Sequence, residues 1–384
     1  MLKDRKIKKL LKRTLFPVLT LVNRMTPKKE NYILLYSANG GIRHNLKPLM
    51  EYLLENKYDS KYKIICGIEN MKYADDNNTR VIYANRIKSI GWFLKSKYVF
   101  YTTGQIPIKP SKKQIVVHLF HGAAHFKACG KLSKIGNGEE FYFTYYMAPS
   151  EIYGKITVAE YGCSEENVLI NGEPMTDVFY KETSPYKLGN YHKVGLWAPT
   201  FRQSDILGYD DSSEELLPMF QPEHYEELNE RLKEYGIKLI VKLHAGQTLT
   251  EYSTQSFSHL ELLSDTDFTA RGYSLYPLLK QVDFLIADYS SVFLQFLLFD
   301  KPIGFAVPDF EEYAQKRGFV FKNPLDYMPG DIMKNKEHMY RFLENMAEGR
   351  DDYAEKRHRV CDIIHTYRDG NNTSRVLEMS GIRL

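Results

Sequence analysis

The stretch from 282 to 293 reads Val282-Asp283-Phe284-Leu285-Ile286-Ala287-Asp288-Tyr289-Ser290-Ser291-Val292-Phe293. Its first half is a short apolar run, which is typical of a parallel strand covered on both faces. Its second half places Ser290 and Ser291 directly before apolar residues that recur at helical spacing from Val292 onward. Small hydroxyl residues at such a position either cap the helix or accompany its free N–H groups in binding an anion. The local sequence leaves both interpretations open.

Apolar runs of strand length alternate with helical patterns along the rest of the chain. Seven runs occur in the first half and five in the second, at residues 32–37, 62–67, 80–83, 98–102, 114–120, 145–149, 168–170, 194–198, 238–243, 260–263, 284–287 and 303–306. Strands that alternate with helices favour parallel sheets built from right-handed crossover units. The stretch 183–190, which contains Ser, Pro, Gly and Asn, is the predicted linker between two such series.

The length of the chain also indicates two domains. Its 384 residues exceed the roughly 250–300 residues over which one hydrophobic core usually extends. We predict a basic arm at 1–29, an N-terminal Rossmann-like domain at 30–185 and a C-terminal Rossmann-like domain at 186–384, the two domains facing a central cleft. Ligands of doubly wound sheets bind beyond the carboxyl ends of the strands, so polar residues directly after a strand are the candidate site residues.

Charge is concentrated in the N-terminal arm. Residues 1–29 contain ten basic residues against Asp4 alone, a net charge of +9, so the overall net charge of +4 leaves the remaining chain at about −5. An acidic body disfavours nucleic-acid binding. Apolar residues recur at steps of three and four between Ile7 and Val22, which predicts a helix with one apolar stripe flanked by cations.

Such a helix is typical of a segment that lies on an anionic membrane surface. The apolar stretch 15–22 is far shorter than the ~20 residues needed to span a bilayer, and it lacks the small-residue cleavage site of a signal peptide. A basic helix packed on its own domain and a flexible tail are the alternatives.

Several common chemistries lack their motifs. The four cysteines are widely spaced without a CxxC pair, which indicates neither a disulfide framework nor a zinc site. The chain contains no GxxxxGK[ST] loop and no Gly-rich dinucleotide fingerprint with an acidic residue at the right distance. We also find no set of His, Asp and Glu at metal-ligand spacing. We therefore predict no protein metal site, although Mg²⁺ can accompany a pyrophosphate substrate.

Six motifs in order carry a family resemblance. They are His121-Gly122, Gly172-Glu173-Pro174-Met175-Thr176-Asp177, Ala198-Pro199-Thr200-Phe201-Arg202, Lys242-Leu243-His244, the block 273–313, and Asp369-Gly370-Asn371-Asn372-Thr373-Ser374. With them, residues 30 to 380 resemble the CDP-glycerol glycerophosphotransferase family, the teichoic-acid primases and polymerases of bacterial cell envelopes. The resemblance implies the GT-B architecture.

The resemblance also implies roles on the acceptor side. His121 follows an apolar run and matches the histidine that supplies the family's proposed general base, a role that suits an imidazole because it titrates near working pH. Gly122 allows close backbone approach at this point. His125 and Lys127 complete the acceptor side. Here the chain reads His-Gly-Ala-Ala-His-Phe-Lys, where the common family form is His-Gly-Thr-Pro-Leu-Lys. The resemblance therefore constrains the identity of the acceptor less than it constrains the class of reaction.

On the donor side, the resemblance points to residues after strands of the second domain. His244 would contact the donor pyrophosphate or the leaving group, with Lys242 adding positive charge, and Arg202 would bind phosphate through its planar fork. Asp288, Ser290, Ser291 and Glu312 complete the predicted donor site. Each residue also has an ordinary interpretation. His244 would only fix its turn, Arg202 would form a surface salt bridge, and Glu312 would be a solvated acidic side chain.

Two further positions depart from the family pattern. Met175 stands where the family often has arginine, and Gln295 where relatives often have an acidic residue. Asp177 is interpreted as a helix cap.

The resulting hypothesis is an enzyme at the cytoplasmic face of the bacterial cell membrane. It would transfer an alditol phosphate from CDP-glycerol or a related CDP-alditol to a hydroxyl of a lipid-linked saccharide or polyol-phosphate chain, in teichoic-acid or capsule-type polymer synthesis, and release CMP. The alternatives are a GT-B glycosyltransferase that uses a sugar nucleotide and a non-catalytic membrane scaffold.

Overall fold

The computed structural model describes residues 14–384 except 39, 76, 123, 135–139, 201–202, 205–208, 211–216 and 244–256. Residues 1–13 of the predicted basic arm therefore lie outside the described residues. The chain divides into two compact units: unit 1 takes its residues from 1–123, 138–180 and 365–384, and unit 2 from 124–137 and 181–364.

This division differs from the predicted domains at 30–185 and 186–384 in two exchanged segments and in the position of the boundary between the domains. The C-terminal residues 365–384 belong to unit 1, and residues 124–137 belong to unit 2. The chain passes from unit 1 to unit 2 after Tyr180, five residues before the predicted boundary. A prediction from the order of strands assumes contiguous domains, whereas both exchanged segments are held by contacts with residues far away in the sequence.

Unit 1 contains a sheet of seven parallel strands in the order β3-β2-β1-β4-β5-β6-β7. Their bounds are Lys29–Ser37 (β1), Lys63–Ile68 (β2), Ile82–Ala84 (β3), Ser96–Tyr101 (β4), Ile115–His118 (β5), Tyr145–Ala148 (β6) and Val168–Ile170 (β7). In β1, Ile33 and Leu35 belong to one core cluster and Leu34 and Tyr36 to another. Since successive side chains point to opposite faces, the sheet is covered on both sides, as its continuous apolar runs predict.

Unit 2 contains a sheet of six parallel strands in the order β12-β11-β8-β13-β14-β15. Their bounds are Lys193–Trp197 (β8), Ile237–Lys242 (β11), Leu260–Leu263 (β12), Phe284–Ala287 (β13), Ile303–Ala306 (β14) and Asp331–Met333 (β15). A separate antiparallel pair joins Gln203–Ser204 (β9) and Tyr209–Asp210 (β10). The sequence analysis missed β15, because a strand of three residues that begins with Asp331 has no apolar run.

The α-helices of the described residues are numbered in chain order. Their bounds are Leu15–Met25 (α1), Leu46–Glu55 (α2), Arg86–Lys95 (α3), Glu151–Tyr161 (α4), Tyr225–Glu234 (α5), Asp265–Ala270 (α6), Leu275–Gln281 (α7), Val292–Phe296 (α8), Phe310–Lys316 (α9), Lys336–Glu348 (α10), Ala354–Ile364 (α11) and Asn372–Met379 (α12). Among the described residues, no helix has both the length and the apolar character needed to cross a bilayer.

Helix α12 explains why the C-terminal residues return to unit 1. Its Val376 and Leu377 are buried in the same core cluster as the apolar face of α2. The buried Asp177 accepts hydrogen bonds from the backbone N–H groups of Asn372 (3.0 Å) and Thr373 (2.8 Å) at the start of α12. Asp177 therefore caps a helix, but not one next to it in the sequence: Asp177 lies inside the 3-10 helix Pro174–Tyr180, and the helix that it caps lies almost two hundred residues further along the chain.

His118 ends β5 inside an aromatic cluster of unit 1. Its side chain is fully buried, and its ring stacks on Tyr101 (4.4 Å between centroids) and on Phe141 (5.3 Å). Its Nε2 lies 3.2 Å from the carbonyl oxygen of Thr102. Burial lowers the pKa of His118 to about 3, so the imidazole is neutral in the folded protein over the physiological range.

We expect this buried histidine to weaken the fold in acid. Between pH 6.5 and about 3 the unfolded chain binds a proton at His118 that the folded protein does not, so stability falls as the pH falls through this window. This single group should remove about 1.5–2 kcal/mol between pH 6.5 and 5. Urea unfolding at several pH values measures the slope. His118→Phe keeps an aromatic ring but cannot titrate, so its loss of stability between pH 6.5 and 5 should be smaller than that of the wild type by this amount. An equal loss in both proteins would contradict the assignment.

Candidate functional site

In unit 2, a buried carboxylate joins the ends of two neighbouring strands. Thr200 follows β8, Asp288 directly follows β13, and these two strands pair in parallel. The Asp288 carboxylate accepts hydrogen bonds from Thr200 N (2.8 Å), Thr200 Oγ1 (2.7 Å) and Ser290 N (3.0 Å). Because Asp288 is fully buried, these bonds position the two loops at the strand ends. Its predicted contact with the donor stays a prediction.

The carboxyl ends of β8 and β13 also mark the point where the sheet changes direction. From β8 the chain continues to β11 on one side, and from β13 it continues to β14 on the other. Loops that leave adjacent strands in opposite directions open a crevice, and ligands of doubly wound sheets bind in that crevice. The clamp formed by Asp288, Thr200 and Ser290 therefore lies where the topology of unit 2 predicts a ligand.

The structure also bears on the two interpretations of the serines. Helix α8 begins at Val292, and Ser291, its N-cap residue, makes no side-chain capping hydrogen bond in the described structure. Ser290 donates its backbone N–H to Asp288, and both serines are partly exposed. The capping interpretation thus fails for Ser291, and the two hydroxyl groups lie at the strand ends with access to solvent.

Aromatic packing fixes the loop that carries the serines. Tyr289 is fully buried, stacks on Tyr313 with ring centroids 4.0 Å apart, and donates its hydroxyl to Asp309 Oδ1 (2.8 Å). The residues on either side, Asp288 and Ser290, therefore have little freedom to move.

The predicted acceptor-side residues do not all lie in one unit. His121 and Gly122 belong to unit 1, whereas His125 and Lys127 belong to unit 2. His125 is buried, and Lys127 is half-buried with its Nζ 3.3 Å from Thr200 Oγ1. Because these residues are close in the sequence, one shared role was predicted for them. The chain passes from unit 1 to unit 2 between residues 123 and 124, in the middle of this motif.

Two predicted donor residues have other partners. Lys242 ends β11, and its Nζ lies 3.0 Å from Asp265 Oδ1 and 5.4 Å from the centre of the Phe268 ring. Glu312 pairs with Lys316 one helical turn later (3.0 Å). These contacts favour structural roles for both side chains. Arg202 and His244 lie outside the described residues.

In unit 1, His121 is exposed and lies three residues after the end of β5. The His44 ring approaches it edge-on, with centroids 6.0 Å apart. Surrounding protein atoms and the neighbouring Arg43 lower the pKa of His44 to about 4, although its side chain retains solvent access. Sequence analysis missed His44, because it lies in the loop after β1 and belongs to no motif.

The fully buried Asn45 connects the loops of unit 1 behind His121. Its Nδ2 donates to the carbonyl oxygens of Leu119 (2.9 Å) and Phe120 (3.3 Å), and its Oδ1 accepts from Met175 N (2.9 Å). Phe120 has φ +53°, which is unfavourable for a residue with a side chain and is maintained only where neighbours enforce it. Asn45 therefore holds the backbone that precedes His121. Its position after β1, the strand next to β4 where the sheet changes direction, could have indicated such a role.

We expect Asn45→Ala to destabilise the protein by about 2–4 kcal/mol, because it removes three hydrogen bonds, two of them fully buried, and leaves their backbone partners unsatisfied. Urea denaturation measures the loss. Asn56→Ala is the matched control. Asn45 directly precedes α2 and Asn56 directly follows it, but the side chain of Asn56 makes only an exposed hydrogen bond to Tyr52 O (2.9 Å). This substitution should cost less than about 1 kcal/mol. Equal effects of the two substitutions would show that Asn45 is not a special anchor.

Comparison with known proteins identifies the family. The chain matches the family described as CDP-Glycerol:Poly(glycerophosphate) glycerophosphotransferase over residues 18–379, and it belongs to this family. It is 31% identical to the teichoic acid glycerol-phosphate primase of Bacillus subtilis (strain 168) over 61% of this chain and 56% of the primase. It is 23% identical to the teichoic acid ribitol-phosphate polymerase TarK of Staphylococcus aureus (strain NCTC 8325 / PS 47) over 95% of this chain and 71% of that protein. The chain spans little more than half the length of several of these relatives.

Solved structures confirm the fold. The wall teichoic acid polymerase TagF matches 98% of this chain and 95% of its own with a TM-score of 0.73 at 17% sequence identity. A histidine-to-asparagine variant of TagF soaked with CDPG matches equally well, with a TM-score of 0.73. The predicted GT-B class is thereby confirmed.

Proposed function

We propose that this protein transfers glycerol phosphate, or a related alditol phosphate, from a CDP-alditol to a hydroxyl group of a lipid-linked saccharide or polyol-phosphate chain. The acceptor oxygen would form a bond to the alditol-side phosphorus, the bond from that phosphorus to the bridging oxygen would break, and CMP would leave with that oxygen. The product would be a teichoic-acid or capsule-type envelope polymer. The observation that carries the proposal is the Asp288–Thr200–Ser290 clamp at the crevice of unit 2, in a chain that belongs to a glycerophosphotransferase family.

The donor is assigned to unit 2. The partly exposed hydroxyls of Ser290 and Ser291 lie at the β13 end, where the clamp fixes the backbone of Ser290, and they can donate hydrogen bonds to phosphate oxygens. Arg202 and His244 are assigned to the same donor from their positions in the family motifs. The proposal includes no protein metal site, and Mg²⁺ would enter with the pyrophosphate as part of the substrate.

The general base is assigned to His121 of unit 1. Its imidazole is exposed, so an acceptor hydroxyl can reach it, and Asn45 holds the backbone that precedes it. The nearby His44, with a pKa of about 4, is neutral at working pH and so places no positive charge of its own beside His121. His121 would accept the hydroxyl proton as the oxygen attacks phosphorus.

The released product separates this proposal from the glycosyltransferase alternative. A glycosyltransferase releases a nucleoside diphosphate from a sugar nucleotide, whereas transfer of an alditol phosphate releases CMP. A non-catalytic scaffold would release neither. Membership in the family favours the phosphotransferase, and mass spectrometry of the products from CDP-glycerol and CDP-ribitol would identify the alditol.

We expect His121→Ala to lower the rate of CMP release from CDP-glycerol and a lipid-linked acceptor by about 10²–10⁴-fold, the usual contribution of a general base. Chromatography of the nucleotides measures the rate. His358→Ala, which changes an exposed histidine of unit 2 paired with Asp300, should leave the rate unchanged. Donor affinity should also be unchanged in His121→Ala. Full activity of this variant would show that His121 is not the general base. A loss of donor affinity as large as the loss of rate would make His121 a binding residue.

We propose further that the protein associates with the cytoplasmic face of the bacterial cell membrane through α1. One side of this helix packs on unit 1: Phe16 and Leu19 contact a core cluster, and the buried Asn23 donates to Lys109 O and Gln114 Oε1 (both 3.0 Å). The opposite side is apolar but exposed, and consists of Leu15, Val18, Leu21, Val22 and Met25. Residues 1–13 add the basic sequence that an anionic surface attracts.

The two sides of α1 determine how this proposal is tested. Deleting residues 1–25 would also remove core contacts, so substitutions on the exposed side are cleaner. Val18→Ser with Leu21→Ser should reduce binding to vesicles that contain phosphatidylglycerol, because both side chains are 58% exposed and supply apolar area to the lipid. Vesicle flotation measures the bound fraction. Ile87→Ser on α3, where the side chain is 80% exposed, is the control and should bind as the wild type does. Unchanged flotation of the double variant would place the attachment elsewhere.

A further inference from the structure

The segment 124–134 is built into unit 2 by its backbone and by one aromatic ring. Ala128 N donates to Gly318 O (3.1 Å), Val320 N donates to Phe126 O (3.1 Å), and Lys127 forms an antiparallel bridge with Phe319. The fully buried Phe126 packs edge-on against Phe293 of α8, with centroids 5.2 Å apart. The backbone of Lys127 is therefore fixed on unit 2 from both sides.

The side chain of Lys127 extends to the strand ends of the same unit. Its Nζ lies 3.3 Å from Thr200 Oγ1 and 5.8 Å from the centre of the Tyr313 ring. The Thr200 hydroxyl donates its own hydrogen to Asp288 Oδ1 (2.7 Å), so it presents lone pairs to the ammonium group. Lys127 thus contacts the clamp that marks the crevice between β8 and β13.

A cation at this position suits a particular ligand chemistry. A nucleoside diphosphate ester carries two negative charges on its bridged phosphates, and a lysine acts on such groups as a compact point charge. The side chain is half-buried, so water screens it less than it screens a surface lysine. Uncharged donors for the same anion are supplied by two partly exposed hydroxyls, that of Ser290, whose backbone the clamp holds, and that of Ser291 next to it.

We propose that Lys127 binds the pyrophosphate of the nucleotide donor on unit 2 and is not an acceptor-side residue. This inference rests on the proposed function and identifies one cation of its donor site. The interaction depends on the number of phosphates and does not involve the base or the ribose.

Lys134 offers a matched control on the same segment. It is exposed, and its Nζ donates to the carbonyl oxygens of Ala314 and Gln315 (both 3.1 Å) in the last turn of α9. Lys127 and Lys134 have the same chemistry and lie in the same compact unit. The contact of Lys127 described above is with the clamp, and the contacts of Lys134 are with α9.

The test is calorimetric titration of the full chain with cytidine, CMP, CDP and CDP-glycerol. We expect Lys127→Met to weaken CDP and CDP-glycerol by about 10- to 100-fold, as the loss of a charged hydrogen bond predicts, to weaken CMP less, and to leave cytidine unchanged. Lys134→Met should bind all four ligands like the wild type. Lys127→Arg, which keeps the charge, should retain most of the affinity and serves as the second variant where Lys127→Met fails to fold.

The outcomes separate the two proposals. Wild-type affinity for CDP in Lys127→Met overturns the role of Lys127 and leaves the proposed function intact. A uniform loss across all four ligands, cytidine included, also overturns it and indicates a structural role. If the wild type binds neither CDP nor CDP-glycerol, the proposed function fails, and the role of Lys127 fails with it.

Discussion

The donor side of this protein depends on one buried carboxylate. Asp288 accepts hydrogen bonds from Thr200 and Ser290 and so ties together the loops that leave two adjacent parallel strands. A carboxylate without exposure to water is stable only when such donors surround it, so the loops and the carboxylate constrain each other. Every described residue assigned to the donor, including the serines and Lys127, is positioned relative to this group.

The sequence predicted the parts of the fold that local pattern controls. The apolar runs at 32–37 and 284–287 became central strands because their residues are buried on both faces, and the order of strands and helices was sufficient to predict two parallel sheets. Tertiary contacts decided the rest. The capping of α12 by Asp177 and the insertion of residues 124–137 into unit 2 join residues that no local window contains.

The same distinction applies to the candidate site. Motifs identified His121, Asp288 and the serines, because their position after a strand is visible in the sequence. Partners were not visible: the salt bridge of Lys242 with Asp265 and the full burial of Asp288 both depend on side chains brought together by folding. Asn45 was missed for the opposite reason, since a buried asparagine that bonds only backbone groups leaves no pattern.

Two departures from the family pattern meet in the structure. Ala124 is fully buried, and its carbonyl oxygen accepts a long hydrogen bond of 3.5 Å from Nε2 of Gln295 on α8. An ionised acidic residue at position 295 would have no hydrogen to donate and would face a carbonyl oxygen here. The neutral amide of Gln295 therefore suits this path of the chain after His121. Because the bonded atom is a backbone oxygen, this contact brings the two positions together within unit 2 and does not depend on the side chain of Ala124.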